Sequence, residues 1–148
     1  MAITASGFFG LSLEKALIDT LGESLEAEDN KVLLVNDTYT PDFTLHDFYA
    51  DVTNEIANGG GYTTGGAAFT STEITLSSGT LTWDFADPSW TTSTISSAMA
   101  AICKTEISGS ATDQLLLLMD FVTAVSTTSG TLLVTIAGTG AMTIDYTP

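Results

Sequence analysis

The chain has 148 residues, with three lysines, no arginine and 18 acidic residues, which give a formal net charge of −15 at pH 7. Such a surface repels phosphate backbones and anionic lipids, so direct binding to nucleic acid or to a membrane is not expected. Hydrophobic residues make up 44% of the chain, so a single packed domain over residues 1–148 is expected. Cys103 is the only cysteine, which excludes an intrachain disulfide and a cysteine-rich metal site.

The N-terminal part of the chain is predicted to be an arm followed by a short helix. Residues 1–8 lack the charged start of a signal peptide and are expected to form a loose arm. Apolar residues then recur every four positions, which predicts a helix over about residues 9–21. This row consists of Phe9, Leu13, Leu17 and Leu21. The carboxylates that follow, between residues 23 and 30, lack the ligand order of a calcium loop, so we interpret this segment as a solvated linker.

An internal helix is predicted after the first strand. Residues 31–35 form an apolar run that indicates a buried strand, and Pro41 then turns the chain. Helical spacing of apolar residues predicts a helix over about residues 44–57. Its buried face would comprise Leu45, Phe48, Tyr49, Val52 and Ile56. His46, the only histidine, has no partner in the sequence pattern, so we interpret it as structural or exposed.

From residue 67 the pattern indicates strands. Ile74 and Leu76, and then Leu81, Trp83 and Phe85, alternate with polar residues around a turn, which predicts a hairpin with one buried face. Further strands are predicted over residues 90–103, with a bulge near residues 96–97, over 114–122, and near 132–136 and 142–146. About eight strands with regular turns indicate a mainly β fold of the β-sandwich type over residues 31–148, with the helix inserted.

The sequence contains no recognisable catalytic constellation. It has no nucleophile motif, no cluster of metal ligands and no nucleotide-binding loop. Asp84 and Asp87 share a turn and could do acid–base work, but in such turns carboxylates more often accept hydrogen bonds from nearby backbone amides. The glycines at positions 59–61 lack the GKS or GKT ending of a phosphate loop, so they are interpreted as a tight backbone crossing. We therefore expect no enzyme, and assign no catalytic residue, cofactor or metal ligand.

Four segments in a fixed order carry a family resemblance. They read KVLLVNDTYTPD at residues 31–42, HDFYADV at 46–52, GYTTGG at 61–66 and WDFADPSW at 83–90. Their order and spacing, over about residues 11–146, resemble a family of tailed-bacteriophage virion proteins described as head decoration or cement proteins. The resemblance implies a jelly-roll-like β-sandwich on the outer capsid surface of the virion. It also implies that the protein bridges subunits of the major capsid protein and has no catalytic residues.

The residues suggest where such a partner would bind. Contacts are expected from the arm and from the loops at 59–66 and 84–90, and a homotrimer at local threefold positions is one arrangement considered. The expected contact residues are Phe8, Phe9, Tyr62, Asp87 and Trp90. Two alternatives remain open: a tail or neck structural protein of the same phage, and a carbohydrate-binding, adhesin-like module. In that module Tyr62, Trp83 or Trp90 would stack on sugar rings.

Overall fold

The structure, a computed structural model, describes residues 3–107 and 111–147. This part of the chain forms ten strands in antiparallel sheets and one short α-helix, α1 (Gly10–Leu17). The strands are β1 (Gly7–Phe8), β2 (Lys31–Asn36), β3 (Ala67–Ala68), β4 (Glu73–Ser77), β5 (Thr80–Asp84), β6 (Ser89–Ser93), β7 (Ala98–Lys104), β8 (Leu115–Val125), β9 (Gly130–Leu133) and β10 (Met142–Asp145). The predicted mainly β class is confirmed. No helix in the described ranges is long and apolar enough to cross a membrane.

The largest sheet has five strands in the order β1-β8-β7-β2-β3 and is buried on both faces. Alternate residues of β2 point to opposite faces, so Val32 and Leu34 belong to one core cluster while Leu33 and Val35 belong to the other. All four of these side chains have no exposed surface. Burial on both faces explains why β2 is a continuous apolar run, and the strand predicted at residues 31–35 is confirmed.

Different parts of the chain cover the two faces. The first cluster joins the large sheet to a three-stranded sheet, β10-β5-β4, and a two-stranded sheet, β6-β9. These smaller sheets contribute Trp83, Trp90 and Leu132, and the residues that directly follow β5 and β9 contribute Phe85 and Val134. The second cluster contains residues from the N-terminal segment and from the loop after β2. They include Ile3, Phe9, Tyr39, Phe43, Tyr49 and Val52.

The N-terminal segment lies on its own domain. Gly7 and Phe8 pair with Leu118 and Leu117 at the edge of the large sheet, and Ile3 is fully buried. Residues 3–8 of the predicted arm are therefore part of the packed fold, whereas its first two residues lie outside the described ranges.

The prediction of an internal helix over residues 44–57 is wrong. Only a 3-10 turn, Tyr49–Asp51, forms there, and Leu45, which was expected on the buried face, is 72% exposed. Carboxylates take up the backbone donors that a helix would use. Asp42 Oδ1 accepts from the amides of Thr44 and Leu45, and Asp51 Oδ2 accepts from those of Asp47 and Phe48.

Carbonyl groups of other parts of the chain accept from the next donors of the same segment. The backbone N–H of Tyr49 donates to the carbonyl of Asp113 at 2.7 Å, and that of Ala50 donates to the carbonyl of Ala111 at 3.0 Å, both in the loop before β8. Ile56 likewise donates to Leu34 in β2. Tertiary hydrogen bonds to β2 and to this loop therefore replace the local bonds of a helix.

The other elements agree with the predictions in type and differ in extent. Helix α1 is shorter than the predicted 9–21 because Asp19 is left-handed (φ 58°), and Leu17, a member of the apolar row, is 76% exposed. The predicted hairpin is confirmed as β4 and β5.

The single strand predicted over 90–103 is two strands in different sheets, β6 and β7. Ser97, between them, has a φ of 55° that interrupts the extended backbone.

Candidate functional site

The structure buries most of the side chains predicted to contact a partner. Phe9 has no exposed surface, and Tyr62 and Trp90 are 2% and 5% exposed. Phe8 is half-buried with its ring edge against Trp83. Only Asp87 is exposed, and its Oδ1 accepts a hydrogen bond from the amide of Ile136 at 2.8 Å. A partner contact at these five residues stays a prediction, and in this conformation three of them offer almost no side-chain surface.

Tyr62 is held by a carboxylate that organises the glycine-rich loop at residues 59–66. Its hydroxyl donates to Glu55 Oε1 at 2.6 Å and accepts from the amide of Leu34 in β2 at 3.0 Å. Glu55 also accepts from the hydroxyl of Tyr49 at 2.5 Å and from the amide of Gly65 at 2.7 Å. One carboxylate therefore fixes the loop against the large sheet.

Burial and neighbouring carboxylates keep the hydroxyl groups of Tyr62, Tyr49 and Tyr39 protonated. Burial raises the pKa of Tyr62 well above the ordinary value of 10.0, and the hydrogen bond and charge of Glu55 raise it further. Burial and then Glu55 raise the pKa of Tyr49 in the same way. Burial also raises the pKa of Tyr39, with further contributions from the charges of Asp51 and Asp42.

The free energy of unfolding is expected to fall as the pH rises above 10.0, the ordinary tyrosine pKa. The unfolded chain releases its phenolic protons there while the folded chain keeps them, so the stabilisation is complete below this pH and is lost above it. Urea unfolding followed by circular dichroism at stepped alkaline pH measures this loss. Tyr62→Phe removes one of these phenols and should show a shallower decline. An equally steep decline in both proteins would contradict the assignment.

A second polar cluster lies beside the loop and contains two of the three lysines. Lys104 and Asp113 are 1% and 0% exposed, and Lys104 Nζ donates to Asp113 Oδ2 at 2.8 Å and to Glu106 Oε2 at 2.6 Å. Lys31 Nζ lies 3.1 Å from the same Glu106 oxygen. A cavity of about 250 Å³ is lined by these side chains together with Tyr49 and the loop.

The charges of this cluster act on Glu106. Desolvation would raise the pKa of Glu106, but hydrogen bonds and charges from Lys104 and Lys31 outweigh it and hold the pKa below the ordinary value of 4.5. Sequence reasoning gave Glu55, Lys104 and Asp113 no role. The one signal it offered was a lysine at the end of the apolar run of β7, since a buried ammonium needs a partner.

The other candidate groups have structural partners. His46 Nδ1 accepts from the amide of Asp42 at 3.3 Å and lies 2.9 Å from the hydroxyl of Tyr39. Asp84 Oδ1 accepts from the amide of Phe85, so both carboxylates of the 84–90 turn bind backbone amides. Within residues 3–107 and 111–147, no group of three or more His, Cys, Asp or Glu side chains is arranged to hold a metal ion.

An exposed apolar surface lies at one end of the three-stranded sheet. In this sheet Ile74, Trp83 and Met142 are in register, and so are Leu76, Leu81 and Ile144, all on one face. The first three pack on the core, but Leu76 is 68% exposed and Ile144 is 40% exposed. Tyr146 follows in the same alternation and is 56% exposed. We call Leu76, Leu81, Ile144 and Tyr146 the apolar tip.

The acidic segment before β2 protects the neighbouring sheet edge. Glu26 Oε1 accepts from the amide of Ile74 in β4, and Glu28 Oε1 accepts from the amide of Ser71. Carboxylates thus occupy donors that an added strand would use at the core-covered end of this edge. The apolar tip lies at the opposite end of the same sheet.

Models of known protein families, curated proteins and solved structures give no match to the chain.

The distribution of charge limits what could dock on the apolar tip. The third lysine, Lys15, is ion-paired with Asp47, so all three cations of the chain have carboxylate partners. The formal charge of −15 is therefore carried by carboxylates that lack a cationic partner. Electrostatic complementarity then favours a neutral or basic partner surface and disfavours another acidic one.

Proposed function

We propose that this chain is a structural virion protein, a bacteriophage capsid decoration protein that binds the outer capsid surface and bridges subunits of the major capsid protein. The observation that carries the proposal is the apolar tip, a group of neighbouring apolar side chains on one sheet face of an acidic chain. Exposed apolar patches rimmed by polar residues mark protein interaction sites. The order of the four segments described above carries the family resemblance, and this resemblance is the reason for proposing the major capsid protein as the partner.

The charge supports an outer rather than an inner location. A chain with a formal charge of −15 would be repelled by packaged DNA on the inner face of a capsid. On the outer face each copy needs only a modest interface, because repetition over a lattice multiplies the effect of each contact on the whole particle. A homotrimer at local threefold positions belongs to this proposal.

The assignment of the sheets to a particular type of β fold is also part of the proposal. Two small sheets pack on one face of the five-stranded sheet through a shared apolar cluster, an arrangement that supports a jelly-roll-like β-sandwich. Such a scaffold offers complementary area without a reaction centre. Tyr62, Trp83 and Trp90 are all buried, so no observation favours the carbohydrate-binding alternative.

The purified protein is expected to sediment with empty, expanded capsids of its own virus and to raise their resistance to heat. Leu76→Asp, which places a charge in the apolar tip, should weaken this binding about tenfold or more, since one central contact is commonly worth at least 1.4 kcal/mol. Thr75→Asp is the matched control, because Thr75 is exposed next to Leu76 on the opposite face of the same strand.

Three outcomes would count against the proposal. Failure of the wild-type protein to bind capsids would remove it. Equal losses in the two variants would show that charge, rather than the apolar tip, determines binding. Labelled protein found on tails or necks of intact particles would favour the alternative location in the same phage.

A further inference from the structure

Lys104, Glu106 and Asp113 form a largely buried triad on the wall of the cavity of about 250 Å³. Lys104 ends β7, Asp113 lies two residues before β8, and the two side chains meet with Nζ 2.8 Å from Oδ2. Their side chains are 2% and 0% exposed, and that of Glu106 is 15% exposed. An amine and a carboxyl group held in contact inside a protein react as if at very high concentration.

The surroundings of the pair fit attack of the amine on the carboxyl carbon. The backbone N–H of Ile107 donates to Asp113 Oδ1 at 3.2 Å, so a fixed donor faces the oxygen on which negative charge would develop. Glu106 Oε2 lies 2.6 Å from Nζ, on which it can act as a base. The ring of Tyr49 lies 5.1 Å from Nζ and helps to shield it.

We propose that Lys104 and Asp113 become joined by an intramolecular isopeptide bond between Nζ and Cγ, with Glu106 relaying the proton. Glu106 transfers one proton from the ammonium to Oδ2 of Asp113, and the freed amine attacks Cγ of the resulting neutral carboxyl group. The tetrahedral intermediate places its negative charge on Oδ1, facing the Ile107 amide. Glu106 then carries a second nitrogen proton to Oδ2, the C–Oδ2 bond breaks, and Oδ2 leaves as water. One ammonium and one carboxylate thus give one amide and one water, and Glu106 ends as it began.

Burial favours this product. An ion pair without solvent keeps a large desolvation cost, and conversion into a neutral amide removes both charges. Lys104 and Lys31, despite desolvation, hold the pKa of Glu106 below the ordinary value, so Glu106 begins the reaction as a carboxylate that can accept a proton. The inference uses no feature of the apolar tip and is independent of capsid binding.

Mass spectrometry of the purified, denatured wild-type protein tests the proposal. The intact mass should be lower than the mass of its sequence by one water molecule. Proteolysis should yield a branched peptide that contains both Lys104 and Asp113. A folded wild-type protein that keeps its full mass after prolonged incubation, with both residues in separate linear peptides, would overturn the proposal.

Variants assign the roles of the three side chains. Lys104→Arg should keep the full mass of its own sequence, because a guanidinium is not a nucleophile at neutral pH. Glu106→Gln should fold, by circular dichroism, and lose water at least about tenfold more slowly. Lys15→Arg, at an ion-paired lysine outside this cluster, is the matched control and should lose water as the wild type does. Unchanged water loss in Lys104→Arg would overturn the bond, and an unchanged rate in Glu106→Gln would overturn the relay.

Discussion

Gly66→Ala is expected to lower the free energy of unfolding by about 4 kcal/mol or more, a loss that only severe steric or core defects produce. Gly66 has a φ of +85°, and a Cβ there would lie 2.5 Å from the carbonyl carbon of Val32 and 2.7 Å from the amide nitrogen of Leu33. Both atoms belong to the backbone of β2, which is buried on both faces and cannot shift without disturbing two core clusters. Urea denaturation followed by circular dichroism measures the loss.

Gly65→Ala is the matched control for this clash. Gly65 has almost the same backbone conformation, with a φ of +91°, but a Cβ there would meet nothing within 4 Å. Only the left-handed backbone is then penalised, which costs about 1–2 kcal/mol. The difference between the two variants isolates the close approach of the loop to β2, and equal losses would show that this approach is not tight.

The pattern of apolar and polar residues predicted the strands correctly where buried residues recur at a regular spacing. Leu81, Trp83 and Phe85 alternate with polar residues, and the structure buries Trp83 and Phe85. The apolar run at residues 31–35 became a strand buried on both faces. Alternating and continuous patterns of apolar residues arise directly from strand geometry, so they predict strands without knowledge of the tertiary fold.

The prediction of the internal helix was wrong because the spacing of apolar residues alone does not show whether local or tertiary hydrogen bonds will form. The apolar positions from residue 45 to 56 have helical spacing, yet Asp42 and Asp51 take up backbone donors locally, and the strand β2 takes up the amide of Ile56. Tertiary partners of this kind override helix propensity.

The two polar clusters were beyond sequence reasoning because the tertiary fold, and not a periodic spacing of residue types, brings their members together. Glu55 meets Tyr49 and Tyr62 only because the glycine-rich loop folds back on β2. Lys31 reaches Glu106 because β2 pairs with β7, with Lys31 opposite Lys104. The apolar tip was hidden for a different reason: alternation predicts which face a residue is on, but not where the covered part of that face ends.

Trp83→Ala is expected to lower the free energy of unfolding by about 4 kcal/mol, within the range for deleting a buried aromatic side chain. Trp83 has no exposed surface, and its ring packs against Phe8, Phe69 and Phe85 with centroids 6.4, 5.8 and 5.3 Å away. Its Nε1–H donates to the carbonyl of Leu25 at 3.2 Å. The side chain thus connects the three-stranded sheet to the N-terminal strand and to the acidic segment.

Trp83→Phe separates packing from hydrogen bonding at this position. It keeps most of the aromatic volume but removes the indole donor shared by Leu25 and Thr72, so a loss of about 1–2 kcal/mol is expected. Unfolding should be followed by circular dichroism, because the fluorescence of the remaining Trp90 reports on a different sheet. A loss below about 1 kcal/mol in Trp83→Ala would mean that the three-stranded sheet is not anchored through this residue. The apolar tip would then lack a rigid support, and the Leu76→Asp comparison would have to be repeated with the hairpin held in place by other means.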